Sequence, residues 1–131
     1  MAAIVAVRRV TAMKVALQAR DGAGRVHTRP MDEPVLTDDP KARRYRLRIG
    51  GDEVGYIEYD PVGEGSLLLK HTEVLPGHEG KGYGSKLVAG MLDDLRARGM
   101  TVLPICPYAM AWIKRHPAYL DVVREDMRGA L

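Results

Sequence analysis

Residues 72–88 read TEVLPGHEGKGYGSKLV, and four glycines (Gly77, Gly80, Gly82 and Gly84) fall within eight positions of this segment. They separate an apolar run with strand character from a segment with the spacing of an amphipathic helix. Glycine lets the backbone turn tightly and approach a ligand closely, and the unpaired N–H groups of a helix's first turn carry partial positive charge. The segment therefore predicts a loop that cradles the phosphates of a nucleotide-like cofactor.

Two common glycine motifs for phosphate binding do not fit this loop. A Walker loop requires a glycine, four residues and then Gly-Lys-Ser/Thr, but Leu75 stands where that first glycine would precede Gly80. The dinucleotide fingerprint G-x-G-x-x-G has Ser85 at its last glycine, and no parallel βαβ pattern precedes it. Spacing alone therefore assigns neither of these cofactor classes.

The loop instead resembles the acetyl-CoA loop of the GNAT-type N-acetyltransferases, which reads R/Q-x-x-G-x-G/A between a strand and a helix. Residues 79–84, EGKGYG, match it everywhere except the first position, where Glu79 replaces arginine or glutamine. The run HTEV at residues 71–74 is similar to the short, single-domain branch of that superfamily. The likeness extends from about Arg43 to Val123.

This resemblance implies an α/β fold, with a GNAT-like mixed, mostly antiparallel splayed sheet flanked by helices. It also implies an enzyme that moves an acetyl group from acetyl-CoA to an amine and releases CoA. Glu79 lacks a side chain that could assist the pyrophosphate and adds negative charge, so the departure bears on cofactor affinity. The residues that the resemblance implies as cofactor-binding are Val74, Leu75, Glu79, Gly80, Lys81, Gly82, Tyr83, Gly84, Ser85 and Lys86.

Length and composition indicate one compact domain, because 131 residues with 46% hydrophobic content can bury a core. We expect residues 41–131 to form the acetyltransferase domain and residues 1–40 a basic, flexible N-terminal extension. Residues 1–31 hold six Lys or Arg and one acidic residue, Asp21. An upstream extension before a start at Met31 is the favoured interpretation. A transit-peptide-like segment and a basic membrane or nucleic-acid arm are the alternatives.

The cysteine, histidine and apolar content of the chain limits the kinds of partner that it can bind. Cys106 is the single cysteine, which excludes an intramolecular disulfide, and the four histidines lack metal-ligand spacing. No apolar run suits a membrane helix. We therefore expect a cytoplasmic protein with neither a metal nor a membrane partner. Nucleic acid is disfavoured because the chain beyond residue 31 is slightly acidic.

Hydrophobic periodicity predicts the elements around the loop. Alternation in residues 43–49 indicates a half-buried strand, and glycine-rich turns at residues 50–52 and 60–65 lead into strands at 54–59 and 66–75. These three strands are expected to form an antiparallel meander. After the loop, a helix with one apolar stripe should end in a left-handed cap at Gly99; the stripe is Leu87, Val88, Met91, Leu92 and Leu95. A strand at 101–106, a helix at 109–115 and a terminal element at 120–127 complete the prediction.

Acetyl transfer requires a positioned thioester, a stabilised oxyanion and groups that move protons. The resemblance implies that the sheet splays after the strand ending at Leu75, and that the pantetheine arm lies between this strand and the one ending at Cys106. A backbone N–H at Val74 or Leu75 is the implied donor to the thioester carbonyl. Glu73 is the implied general base if partial burial raises its pKa, with exposure or a pair with Arg44 as the alternative. His71 shares its face in the absence of a bulge and could relay a proton.

Two further residues are candidates for the proton that the leaving thiolate needs. Cys106 could donate it or take the acetyl group covalently, although a free cysteine more commonly packs as a small buried residue. Tyr108 competes for the same role, because family members often use a tyrosine beyond this strand. Trp112, Met110 and Ile113 have helical spacing and are expected in the core.

Alternatives from other classes remain open at this point. Residues 77–80 have the G-x-x-G form of a KH nucleic-acid module, but a KH loop joins two helices and is usually basic. A non-catalytic protein that binds CoA for regulation would also fit the loop. Sequence leaves open whether the acceptor amine belongs to a small molecule or a protein, and also the oligomeric state.

Overall fold

The computed structural model describes residues 7–9 and 33–131. Most of the predicted N-terminal extension therefore lies outside the described residues. The strands are β1 (Val7–Arg9), β2 (Pro34–Asp39), β3 (Arg44–Ile49), β4 (Asp52–Val62), β5 (Ser66–Val74) and β6 (Thr101–Pro104). The α-helices are α1 (Tyr83–Ala97) and α2 (Pro107–Arg115), followed by 3₁₀ helices at Pro117–Val122 and Glu125–Ala130.

The six strands form one sheet in the order of the chain, from β1 to β6. The strands from β2 to β5 pair antiparallel, whereas β1 with β2 and β5 with β6 pair parallel. This mixed, mostly antiparallel sheet and the three-strand meander confirm the predicted fold class. The sheet also includes β2, which precedes the expected domain start at residue 41. The sequence did not predict β2, because the strand begins at Pro34 and ends in two aspartates, and both residue types are uncommon in strands.

The helix α1 packs its apolar stripe on one face of the sheet. All five predicted stripe residues are completely buried, and they belong to the same core cluster as Leu47 of β3 and Ile57 of β4. Gly99 has φ 72°, and the Met100 N–H donates to the Leu95 carbonyl at 2.9 Å. This is the expected left-handed C-terminal cap, which fixes the length of α1 and with it the position of the glycine loop.

A buried polar cluster ties the C-terminal end of α1 to the sheet. The Tyr59 hydroxyl donates to Asp38 at 2.7 Å, and the Tyr45 hydroxyl donates to Asp94 at 2.6 Å. Arg98 donates to the Tyr45 oxygen at 2.9 Å. Burial, reinforced by these carboxylates, raises the pKa of both tyrosines well above the ordinary value. The cluster thereby links β2, β3, β4 and α1.

The sheet divides in the middle of β5. Pairing with β4 shifts register there, because Tyr59 opposes Leu69 and Glu58 opposes His71, which leaves Lys70 as the extra residue of a bulge. Pairing with β6 ends at the same place, where Leu69 opposes Pro104. Residues 70–74 therefore pair with β4 alone, as in the predicted splayed sheet.

The segment after β6 is close to prediction. Helix α2 begins two residues earlier than expected, because Pro107 suits the first helical position, and it ends at Arg115 as expected. Trp112 and Ile113 are buried in the core as expected, whereas Met110 is only half-buried. The expected terminal element is two 3₁₀ helices, between which Val123 makes a parallel bridge with Val102 of β6.

Candidate acetyl-transfer site

A cavity of about 340 Å³ lies where the glycine loop meets the divided part of β5. Its walls come from three regions: the end of β5, the loop into α1, and the first turn of α2. The lining residues are Thr72, Val74, His78, Glu79, Gly80, Gly82, Tyr83, Gly84 and Tyr108. The structure therefore brings together much of the predicted cofactor loop and one of the four predicted catalytic residues.

The loop owes its shape to glycines in the left-handed region. Gly77, Gly80 and Gly82 have φ of 89°, 78° and 80°, and no atom lies within 4 Å of an added Cβ at any of them. These positions therefore require glycine for its backbone conformation rather than for space. Gly82 caps α1 without a side-chain hydrogen bond, and the first turn of the helix holds no acidic residue. The N-terminal N–H groups of α1 thus retain the partial positive charge that favours an anion.

Successive residues of β5 face opposite sides of the sheet. Thr72 pairs with Ile57, a core residue beneath α1, and Thr72 and Val74 line the cavity on that side. His71 pairs with Glu58, so His71 and Glu73 lie on the opposite face. The divided strand therefore offers one set of side chains to the cavity and another to the far side of the sheet.

His71 and Glu73 contact each other on that far face. His71 Nε2 lies 2.8 Å from Glu73 Oε1, and the two side chains are 52% and 40% exposed. The bulge lies before His71, so side chains from His71 onward alternate regularly between the two faces, and His71 and Glu73 share one face as predicted. The alternative pair between Glu73 and Arg44 is wrong, because Arg44 binds Glu58 at 2.7 Å. Glu73 is partly exposed rather than enclosed in dry surroundings.

The backbone of the divided strand distinguishes the two predicted oxyanion donors. The Leu75 N–H donates to the Val54 carbonyl at 2.8 Å and so points toward β4. Neighbouring N–H groups of a strand point in opposite directions, so the Val74 N–H is directed into the gap beside β6. The geometry leaves Val74 as the donor candidate of the two.

Cys106 lies across the gap from β5. Its side chain is 3% exposed, and its Sγ is 3.4 Å from Thr72 Oγ1. Its N–H and that of Ile105 both donate to the Leu69 carbonyl, at 3.1 and 3.2 Å, where the two strands separate. The thiol is thus buried beside the gap, and a residue that lines the cavity is its hydrogen-bond partner.

Tyr108 lies further along the cavity, over the start of α1. A Cβ added at Gly84 would be 2.7 Å from the Tyr108 hydroxyl, so this side chain packs directly on the helix backbone. Ser85 also makes a link to α2, because its Oγ accepts a hydrogen bond from Trp112 Nε1 at 2.8 Å. Lys81 is exposed and Lys86 half-buried at the same end of α1.

Sequence reasoning missed two residues that line the cavity, Thr72 and His78. The alternation of β5 could have indicated Thr72, since it lies between His71 and Glu73 and so faces the other side. His78 has no such signal, because its position depends on the loop; its ring lies 6.2 Å from that of Tyr83.

Within residues 7–9 and 33–131, no group of His, Cys, Asp or Glu side chains is arranged to hold a metal ion. No helix in the same part of the chain has the length and apolar character needed to cross a membrane. The KH interpretation is wrong, because its G-x-x-G residues follow strand β5 rather than a helix.

The divided sheet and the glycine loop at the start of α1 define a class of protein, the acetyl-CoA-dependent acyltransferases. A sequence profile described as GCN5-related N-acetyl-transferase matches residues 44–122, more than half of the chain. The chain therefore belongs to the GCN5-related N-acetyltransferase family. This confirms the predicted enzyme class and its cofactor, acetyl-CoA.

Individual proteins are also similar to this chain. Protein NATD1 of Danio rerio is 27% identical over 86 residues, which cover 63% of this chain and 78% of that protein. Protein NATD1 of Gallus gallus is 28% identical over 80 residues, covering 60% and 73%. The solution structure of a GCN5-like protein from Staphylococcus aureus has a TM-score of 0.51 and 21% identity, covering 62% of this chain and 80% of that one. That likeness is one of fold.

Proposed function

We propose that acetyl-CoA binds in the cavity on the α1 side of the sheet, and that the acceptor amine approaches from the opposite face. The observation that carries this proposal is the division of the sheet at Leu69. Beyond this residue β5 borders the gap, and its alternate side chains lie on the two faces of the sheet. Thr72 and Val74 face the cavity, whereas His71 and Glu73 face away from it. The thioester would lie in the gap between them, within reach of both sides.

Backbone groups bind and orient the cofactor in this account. The glycine loop and the first turn of α1 present N–H groups to the pyrophosphate, with Lys81 and Lys86 close enough along the chain to add charge. The Val74 N–H donates to the thioester carbonyl and stabilises the oxyanion that forms there. Tyr83, Gly84 and Tyr108 form the wall against which the cofactor packs.

Glu73 removes the proton from the attacking amine, directly or through water, and His71 orients its carboxylate. The neutral amine attacks the thioester carbon to form a C–N bond and an oxyanion. Collapse of that intermediate breaks the C–S bond, leaving an amide and the CoA thiolate. One proton goes from the amine to Glu73, and a second proton must reach the thiolate.

Cys106 supplies that second proton, because its thiol lies beside the gap and contacts Thr72 at the cavity wall. Tyr108 is the second candidate, at a position nearer the start of α1. A covalent acetyl-cysteine is the competing route, but the described residues place no base beside the thiol; His71 lies on the other face of the sheet.

The acceptor is an amine of a small molecule or a protein. The exposure of His71 and Glu73 favours an amine that protrudes from a larger molecule, because small ligands are usually enclosed in pockets. We place the enzyme in the cytoplasm, where the free thiol of Cys106 would stay reduced.

Calorimetry combined with an acceptor screen tests this function. Acetyl-CoA should bind saturably, and a panel of polyamines, lysine peptides and peptides with free N-termini should include an acceptor. Glu73→Gln should bind acetyl-CoA normally but turn over slowly, whereas Glu64→Gln, the same change in the distant β4–β5 turn, should bind and turn over like the unaltered protein. Binding without turnover on any acceptor would favour the regulatory alternative. Absence of acetyl-CoA binding would overturn the proposal.

A further inference from the structure

The side chain of Glu79 folds back onto the glycine loop. Its Oε1 accepts a hydrogen bond from the Gly77 N–H at 3.1 Å, and the residue lines the cavity. Glu79 is the one acidic residue among the described lining residues, and the first turn of α1 holds none. It is exposed, so this hydrogen bond rather than burial holds the carboxylate against the loop.

A carboxylate and a phosphate compete for the same kind of surroundings. Both are anions that accept hydrogen bonds from backbone N–H groups, and both are favoured near the start of a helix. A phosphate that enters the loop therefore meets a negative charge already bound there. The repulsion is moderated by solvent but persists over the few ångströms that separate neighbouring groups of one loop.

From this contact we infer that Glu79 is an affinity-determining residue that competes with the cofactor's phosphates for the glycine loop. The carboxylate holds the loop in its cofactor-free arrangement and leaves Gly77 when the phosphates bind. This inference depends on the proposed function, because it requires acetyl-CoA in the cavity. Its consequence is that the unaltered chain binds acetyl-CoA less tightly than its loop would otherwise allow.

The direct test compares acetyl-CoA affinities of three proteins by calorimetry. Glu79→Gln keeps an oxygen that can accept from Gly77 but removes the charge, and Glu64→Gln makes the same change at a glycine-flanked turn far from the loop. We expect Glu79→Gln to bind acetyl-CoA roughly three- to tenfold more tightly at low ionic strength, and the gain to shrink in high salt as charges are screened. Glu64→Gln should match the unaltered protein. Thermal melts establish that each variant is folded.

The outcomes separate this inference from the proposed function. Equal or weaker binding by Glu79→Gln would overturn the inference, since the side chain would then be neutral or a direct cofactor contact. If none of the three proteins binds acetyl-CoA, the proposed function fails as well. A further variant, Glu79→Arg, should bind more tightly still, because it places a positive charge where the phosphates arrive.

Discussion

His71 Nε2 lies 2.8 Å from Glu73 Oε1 on the face of β5 that is turned away from the glycine loop. The bulge at Lys70 falls just before this pair, so residues 71–74 alternate regularly although the strand as a whole does not. The same short segment therefore carries a carboxylate and an imidazole on one side and the cavity wall on the other.

Replacing Glu73 by glutamine removes the proposed base without changing the shape of the side chain. We expect kcat to fall by roughly 10²–10⁴-fold, the usual contribution of general base catalysis, with acetyl-CoA affinity unchanged. His71→Gln should lower kcat by less, because His71 acts through Glu73. Steady-state kinetics together with calorimetry would measure both effects. A loss of acetyl-CoA affinity in Glu73→Gln would place this residue on the cofactor side instead.

Replacing Cys106 by alanine separates its possible roles. If it protonates the thiolate, Cys106→Ala should lower kcat while Cys106→Ser retains part of the activity, and no acetylated enzyme should accumulate. Rapid mixing of acetyl-CoA with the protein, followed by mass spectrometry, detects any covalent intermediate. A stoichiometric acetyl adduct lost in Cys106→Ala would establish the covalent route. Unchanged kcat in Cys106→Ala would mean that the thiol only packs. Tyr108 would then be the remaining candidate proton donor, and Tyr108→Phe would test it.

Gly55 packs against the end of β5 at Glu73. A Cβ at this position would lie 2.6 Å from the Glu73 carbonyl oxygen and 2.9 Å from Leu87 Cδ1, so β5 or α1 must move to admit it. Gly55→Ala should destabilise the fold by about 1–3 kcal/mol and lower kcat as Glu73 shifts. Gly65→Ala is the matched control, because nothing lies within 4 Å of a Cβ there. Urea unfolding of both variants measures the difference, and equal stabilities would contradict this account of the packing.

The buried tyrosines predict a loss of stability at alkaline pH. The pKa values of Tyr45 and Tyr59 are raised in the folded protein, so folding favours their neutral forms. Their contribution is complete below the ordinary tyrosine pKa of ~10 and is lost as pH rises above it, because the unfolded chain ionises first. The free energy of unfolding should therefore fall between about pH 10 and 12, and fall less steeply in Tyr59→Phe. A pH-independent urea midpoint across this range would contradict the prediction.

Local pattern was sufficient for the features that depend on neighbours in sequence. These features are the glycine spacing of the loop, the apolar stripe of α1 and the cap at Gly99. Each depends on the identity of residues only a few positions apart. The remaining features depend on distant partners. In sequence, Asp38 has the character of a turn residue. In the structure it is only 3% exposed, because Tyr59 of another strand donates a hydrogen bond to its carboxylate. The register between strands likewise determines where the sheet divides, at Leu69. It also determines that the Leu75 N–H donates to the Val54 carbonyl.

Amide NMR can establish where acetyl-CoA lies on the sheet and the glycine loop. Titration of ¹⁵N-labelled protein with acetyl-CoA should produce saturable shifts at the amides of Gly80, Gly82, Gly84 and Val74, with much smaller shifts at residues 44–48 of β3. Shifts confined to the face that carries Arg44 and Glu58, or none in the glycine loop at saturation, would contradict this position of the cofactor.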